Sequence, residues 1–330
     1  MKTLSELINT FLTKYLPQSR GYSSNTVASY RDAFILFIKY MGTQYGTEPD
    51  KLDGTHFSLS NVEGFLLWLE TSKGSGATTR NNRLAAIKSF FRYAQTVAPE
   101  WIDTAKPILA LRAKKTVENS AIKYMSAEAI GCILSEAYKS GGIRDAALLS
   151  LLYDSGARVQ EIADITIGDV RVTKPYTARL TGKGRKIRIV PIATQTAKIL
   201  RKYISEFGLS VPENKLFSNW MGDPIGRAGI AYVLKKHVSA ANVHFPDIVP
   251  RKATPHQFRH SRSMHMLENG VNLIYIRDLL GHASVTTTER YAKANVEMKR
   301  KAIEQSNIIA ESNYDEEKKE DLLSWLRNVI

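Results

Sequence analysis

The guanidinium forks of Arg158 and Arg259 suit a phosphodiester, whose single negative charge becomes two in a pentacoordinate transition state. Arginine keeps its charge where a buried lysine loses it, and its planar fork fixes the orientation of a phosphate as well as its charge. Tyr291 carries a hydroxyl that can attack phosphorus. A phenol titrates at roughly pH 10, so it must lose its proton as it attacks, and an imidazole such as His256 can assist. Taken singly, each arginine reads as a surface ion pair, and Tyr291 as one core aromatic among 15 tyrosines.

Two competing chemistries fit the sequence less well. Four of the 7 histidines, His256, His260, His265 and His282, fall in one region, and His256-Gln257-Phe258-Arg259-His260 has the two-histidine spacing of a zinc helix. Glutamine stands where a zinc protease needs its glutamate base, and Arg259 would set a cation beside the metal, so no metal site is expected. His260 and His265 are read as packing residues with satisfied ring nitrogens. Gly182-Lys183-Gly184-Arg185-Lys186 lacks the spacing of a phosphate loop and precedes a strand rather than a helix, which argues against nucleotide hydrolysis. A lysine at a hairpin tip, with Arg185, Lys186 and Arg188 behind it, can reach into a nucleic-acid groove. Standing alone, the same turn reads equally well as a solvated basic loop.

The elements that must carry these residues are mostly helical. Leu4, Leu7, Ile8, Phe11, Leu12 and Tyr15 mark an amphipathic helix, and Ser23-Ser24-Asn25 caps a second through Val27, Tyr30, Phe34, Phe37, Ile38 and Met41. A third is predicted from about Asn61 to Ser72, and a fourth after Gly74-Ser75-Gly76, capped by Thr78 or Thr79 and carrying Leu84, Ile87, Phe90, Phe91 and Tyr93. Residues 1–105 thus read as a helical bundle, 106–125 as a basic interdomain linker, 126–291 as a second body and 292–330 as a tail. In the second body Ser126 is a candidate cap, helical patterns run through Ala146 to Tyr153, and Gly156 breaks them. Ala178 to Thr181 and Ile187 to Ile192 read as two short strands around the Gly182-Lys183-Gly184 turn. Helices resume near Thr194, around Ala228 to Lys236, from about Thr254 to Asn269 and after Val271.

Length and composition agree with this layout. At 330 residues the chain can bury two cores, and 43% hydrophobic with 24% charged residues is the balance of a folded globular protein. The formal charge of +14 points to a polyanionic partner, with nucleic acid ahead of acidic membrane. The linker carries five basic residues against one acidic, and the second body 23 against 14, so a polyanion should meet those parts most strongly. In the bundle, Arg80, Arg83, Lys88 and Arg92 offer a local basic face. The single cysteine, Cys132, makes no internal disulfide and no multi-thiolate zinc site, which suits a reducing cytoplasm. Glu6 within the first apolar stretch argues against a signal peptide, and no apolar run approaches membrane-spanning length.

Read together, Ser155-Gly156-Ala157-Arg158-Val159-Gln160-Glu161-Ile162, Gly182-Lys183-Gly184, Thr254-Pro255-His256-Gln257-Phe258-Arg259-His260, and Leu280-Gly281-His282 followed nine residues on by Tyr291 resemble the tyrosine recombinase (phage integrase) family. The resemblance implies a mainly α fold with a small β-sheet or hairpin, a two-domain DNA clamp of a helical, SAM-like core-binding domain and a catalytic domain. It also implies a strand-exchange reaction through a 3′-phosphotyrosine link and a Holliday junction, with no metal, ATP or cofactor. In that reading Tyr291 is the nucleophile, Arg158 and Arg259 hold the phosphate, His256 is the base, Lys183 the general acid, His282 a phosphate hydrogen-bond donor, and Glu161 orients Arg158 or a histidine.

By the same resemblance the partner is double-stranded DNA with inverted-repeat half-sites, bound by a homodimer and recombined by a homotetramer in the nucleoid, with DNA-bending or directionality proteins as accessories. Thr79, Arg80, Arg83, Lys88, Arg112, Lys114, Lys115, Arg185, Lys186 and Arg188 are the expected DNA contacts. The tail, ending in Leu322, Leu323, Trp325, Leu326, Val329 and Ile330, is expected to dock on a neighbouring protomer, with packing onto its own domain as the alternative. The tail is longer than in compact chromosome-resolving members, and Ala292-Lys293 departs from the family's frequent polar-histidine sequence after the tyrosine. The resemblance as a whole leads to the expectation of a mobile-element integrase or transposase. A non-catalytic DNA-binding protein and a nicking and resealing topoisomerase are the competing functions.

Overall fold

The computed structural model describes residues 3–46, 48–116 and 124–281. The chain divides into two compact units, 1–119 and 120–330.

Every secondary-structure element among the first unit's described residues is helical. Helix α1 (Leu4–Thr10) starts at a capping box in which Thr3 Oγ1 accepts from the Glu6 amide at 3.2 Å and Glu6 accepts from the Thr3 amide at 2.9 Å, and it continues in π-helical turns over Phe11–Ser19. Ser23 caps α2 (Ser24–Tyr45), as its sequence suggests. Helix α3 (Leu59–Thr71) begins slightly earlier than expected because Ser58 is its cap. Helix α4 (Ala77–Val97) has Gly76 at its N-cap and no side-chain cap, so Thr78 and Thr79 lie inside its first turn rather than before it. The core is aromatic: Phe11, Phe37, Phe57, Phe65, Phe90 and Phe91 are fully buried, with Phe37 stacked on Phe57 at 4.3 Å and Phe34 edge-on to Phe90 at 5.3 Å. Such ring pairs add about 0.5–1.5 kcal/mol each beyond the area they bury.

A further helix, α5 (Ile102–Ala110), crosses the point where the sequence places the start of a linker. Pro107 suggests a break, yet Ala105 and Ile108 on the same face are completely buried in the aromatic core, and that burial outweighs the one backbone bond that proline deletes. The chain after it is strapped to α3 and α4. Lys88 donates to the Leu111 carbonyl, Asn81 exchanges hydrogen bonds of 2.8 and 2.9 Å with the backbone of Lys114, and the Lys114 ammonium meets Glu70 at 2.9 Å. Residues 117–123 of the expected linker lie outside the described residues.

The second unit opens with α6 (Ala127–Ser140), capped by Ser126, and α7 (Gly142–Asp154). Leu148, Leu149, Leu151 and Leu152 of α7 are all fully buried, and the polar Asp145, Ser150 and Asp154 are buried with them. A short α8 (Val159–Asp164) follows, then an antiparallel sheet in the order β1 (Val170–Arg171), β2 (Thr177–Thr181), β3 (Ile187–Pro191). The expected hairpin is present, with Thr181 opposite Ile187 and Arg179 opposite Ile189, and the two-residue β1 extends it. Helices α9 (Thr194–Glu206), α10 (Arg227–His244), α11 (Pro255–Glu268) and α12 (Leu273–Leu280) complete the described part. The fold is therefore mainly α, with one small sheet among the described residues. No described helix is long and apolar enough to cross a membrane.

Candidate active site

The site assembles where three chain segments meet the carboxyl end of α12. The buried α7 delivers the turn that ends in Arg158, the residue preceding α8. Glu161 sits in the first turn of α8, where its carboxylate accepts from the Arg158 amide at 2.7 Å and from the Arg158 guanidinium at 3.1 Å. The third segment, α11, starts at a capping box: Thr254 Oγ1 accepts from the Gln257 amide at 3.3 Å, and Gln257 accepts from the Thr254 amide at 2.9 Å. The glutamine that displaces a zinc protease's glutamate is thus used to cap the helix. Its box sets the register of His256 on the first turn and of Arg259 three residues on.

The two arginines converge. Arg259 is only 3% exposed, and its terminal nitrogens donate to the Gly156 carbonyl at 2.7 Å and to the Leu280 carbonyl at 2.6 Å. Arg158 is half-exposed and reaches the same Leu280 carbonyl at 3.5 Å and the Gly281 carbonyl at 3.4 Å. A helix ends with unsatisfied carbonyls and the negative pole of its dipole, which is why this point gathers cations. Gly281 closes α12 in a left-handed conformation (φ 62°), and a Cβ there would lie 3.0 Å from Arg188, so conformation and space both call for glycine. The bonds of Arg158 are long and solvent-facing, the kind a phosphate oxygen can replace.

A third guanidinium joins them. Arg188, on β3, lies against Glu161 with bonds of 2.8 and 2.7 Å and sends Nε to the Leu279 carbonyl at 2.8 Å. The sequence places Arg188 among the DNA contacts; its side chain is 14% exposed and its fork is spent on Glu161. Burial alternates along β3, with Val190, two residues along and on the same side, buried while Ile187 and Ile189 are exposed, and because both outward residues are apolar the sequence pattern gives no sign that Arg188 faces inward. Burial alone would raise the Glu161 carboxyl, but Arg188 and Arg158 outweigh it and hold the group below the usual carboxylate range.

Around this cluster, α11 is pinned from several sides. Ser261 accepts from the Met125 amide at 2.9 Å, and Arg262 donates to Asp154 through its backbone and side-chain oxygens, both at 3.0 Å. His265 is buried, with Nε2 at 2.9 Å from the Met125 carbonyl and Nδ1 at 2.8 Å from the Tyr153 hydroxyl. A carbonyl only accepts, so Nε2 carries the proton and Tyr153 donates to Nδ1. This is the satisfied packing role its sequence suggests. The rings of His256 and His260 lie 4.1 Å apart on successive turns, with His256 exposed.

The remaining expected residues divide by environment. The backbone of Lys183–Arg185 forms a single tight turn at the hairpin tip, and Arg185 and Lys186 are exposed there. Thr79, Arg112, Lys114 and Lys115 are exposed. Arg80 is largely covered, 3.9 Å from Glu70, and Arg83 donates to the Ser29 carbonyl at 2.7 Å. Lys88 holds Leu111, and burial followed by the nearby Arg92 charge lowers its pKa. Arg83 and Lys88 therefore spend donors inside the first unit, a use that their helical face does not reveal. His282, the residue after Gly281, and Tyr291 lie outside the described residues, as does the tail.

Comparison with known proteins bears on the same segments. The phage integrase family profile matches residues 123–298, and the phage integrase N-terminal SAM-like domain matches 8–96. The chain belongs to the phage integrase family. Within the family, the putative integrase/recombinase y4rC of Sinorhizobium fredii is 30% identical over 99% of this chain and 98% of its own length. Tyrosine recombinase XerD of Listeria monocytogenes is 29% identical over 87% of this chain and 94% of its own. The Tn1549 transposon integrase, solved with transposon right-end DNA, shares the fold with a TM-score of 0.67 at 18% identity, covering 91% of this chain and 99% of that one. This phage integrase family member is accordingly a site-specific tyrosine recombinase.

Proposed function

We propose that this recombinase breaks and rejoins DNA through a covalent link to Tyr291, exchanging strands between inverted half-sites for the integration or excision of a mobile element. The observation that carries the reading is the convergence of Arg158 and Arg259 on the Leu280 carbonyl, two residues before His282 in the chain. Two guanidiniums at one point supply the charge that a pentacoordinate phosphorane needs, each contributing a few kcal/mol, roughly the worth of a fixed transition-state donor.

In the reaction, the Tyr291 hydroxyl gives its proton to His256 as its oxygen bonds to phosphorus. The bond to the 5′ oxygen breaks, and that oxygen takes a proton from Lys183. The product is a 3′-phosphotyrosine and a free 5′ hydroxyl. Because the phosphotyrosine conserves the energy of the diester, a 5′ hydroxyl from a partner strand reverses the step and needs no ATP. His282 hydrogen-bonds the phosphate, and Glu161 holds Arg158 in place. The exposed Arg185 and Lys186 at the hairpin tip and Arg112 and Lys115 after α5 neutralise backbone phosphates, a salt-sensitive source of affinity. A pair of protomers occupies each site, four assemble for exchange, and the tail docks on a neighbour.

A duplex nicked beside the cleavage point, so that the freed fragment diffuses away, tests the reading. A recombinase accumulates a covalent complex and joins strands between two sites. A covalent complex that joins only its own strand when the 5′-hydroxyl fragment is supplied again, and never a strand from a second site, identifies a topoisomerase, and binding without any adduct identifies a non-catalytic DNA-binding protein.

A further inference from the structure

We propose that Arg188 is a positioning residue for the general acid, locking the hairpin that carries Lys183 against the phosphate-binding cluster. This rests on the reading of Lys183 as the proton donor to the leaving 5′ oxygen.

The geometry that supports it is a single clamp. Arg188 sends two nitrogens to the two oxygens of Glu161 at 2.8 and 2.7 Å, and its third to the Leu279 carbonyl at 2.8 Å. One planar group thereby ties β3 to α8 and to the end of α12. The opposite strand is fixed to the same point: a Cβ on Gly182 would stand 3.1 Å from Glu161 Oε1 and 3.6 Å from the Arg188 guanidinium, so the β2 end of the turn abuts the ion pair. The turn itself is closed by the Gly182 amide on the Lys186 carbonyl at 2.8 Å and by the Arg185 amide on the Gly182 carbonyl at 3.1 Å. Lys183 is one residue from the abutment. The Arg188 clamp thus anchors the base of the turn that carries Lys183, and Glu161 simultaneously grips Arg158. A lysine at 188 has a point charge that cannot span Glu161 and Leu279 together.

A leaving group that needs no proton isolates this role. In a nicked substrate with sulfur in place of the bridging 5′ oxygen, the P–S bond breaks to a thiolate, and Lys183 becomes dispensable. Single-turnover adduct formation should fall about 100-fold in Arg188→Ala on the oxygen substrate, the scale of a lost general acid, and return to within about fivefold of the unsubstituted protein on the sulfur substrate. Arg188→Lys should be intermediate on oxygen. Lys183→Ala should share the sulfur rescue, and Arg259→Ala should not. Equal loss on oxygen and sulfur overturns the proposal, as does an undiminished rate on oxygen, or a defect confined to DNA affinity. Should Arg188→Ala unfold, Gly182→Ala decides, since its methyl displaces the turn while leaving the ion pair's charges intact; it must show the same rescue. If the unsubstituted protein forms no adduct on either substrate, the phosphotyrosine reading itself fails, a result distinct from all of these.

Discussion

Glu161→Gln tests how much the arginine cluster depends on one carboxylate. The side chain is 3% exposed and accepts four bonds, two on each oxygen, from the Arg158 amide, the Arg158 guanidinium and both terminal nitrogens of Arg188. Glutamine keeps one acceptor oxygen and turns an NH2 toward donors. At least two charge-assisted bonds are lost, each worth about 1.5–3 kcal/mol, and Arg188 is left without its counter-charge. Breaking a buried pair in this way costs about 3–5 kcal/mol. The pH dependence has a definite sign. Glu161 titrates lower in the folded protein than its ordinary 4.5, so its stabilisation is complete above that value and is lost as pH falls through the lower folded value. The stability gap between the unsubstituted protein and the Glu161→Gln variant should therefore be widest at about pH 7 and narrow below about pH 4.5. Urea unfolding read by hydrogen exchange within Gly142–Asp154 and Pro255–Glu268 reports the second unit by itself. A gap under about 1 kcal/mol near neutral pH, the range of a surface pair, or one that stays constant into acid, would refute the reasoning.

Two smaller perturbations follow from the supports of α11. Thr254→Ala removes the cap on the Gln257 amide and should cost about 1 kcal/mol, with faster exchange of the first-turn amides, while Thr254→Ser should restore most of it; unchanged exchange would contradict the capping role. Burial lowers the pKa of His265, so its ring should remain neutral at pH 6.5, where an ordinary histidine is half protonated, and it should contribute stability above that pH that is lost as pH falls through its folded pKa. Ring-nitrogen NMR that finds His265 half protonated at or above pH 6.5 would refute the lowered pKa and the reading of Nδ1 as acceptor from the Tyr153 hydroxyl.

Much of the fold is written in local patterns. Ser23 and Ser126 are caps because their hydroxyls reach the amide three residues on, and such signals need only a few residues. Helix α5 escapes a local reading because Pro107 and the basic residues around it look like a linker, whereas Ile108 is held by aromatic residues distant in sequence. The convergence of Arg158 and Arg259 is legible through motif order, not through either residue. Arg188 misleads for a physical reason: a cation after a glycine turn looks solvated unless its counter-charge, 27 residues away at Glu161, is known. Likewise Arg83 and Lys88 share a helical face with Arg80, but only tertiary structure reveals the Ser29 and Leu111 carbonyls that engage them.

The most direct test is mass mapping of the covalent adduct formed on a nicked half-site, for the unsubstituted protein and for Tyr291→Phe. The account predicts a single DNA-linked peptide containing Tyr291, and a Tyr291→Phe protein that binds the same DNA and never becomes attached to it. A DNA adduct in the Tyr291→Phe protein, or one mapped to any other residue, would contradict the assignment of the nucleophile.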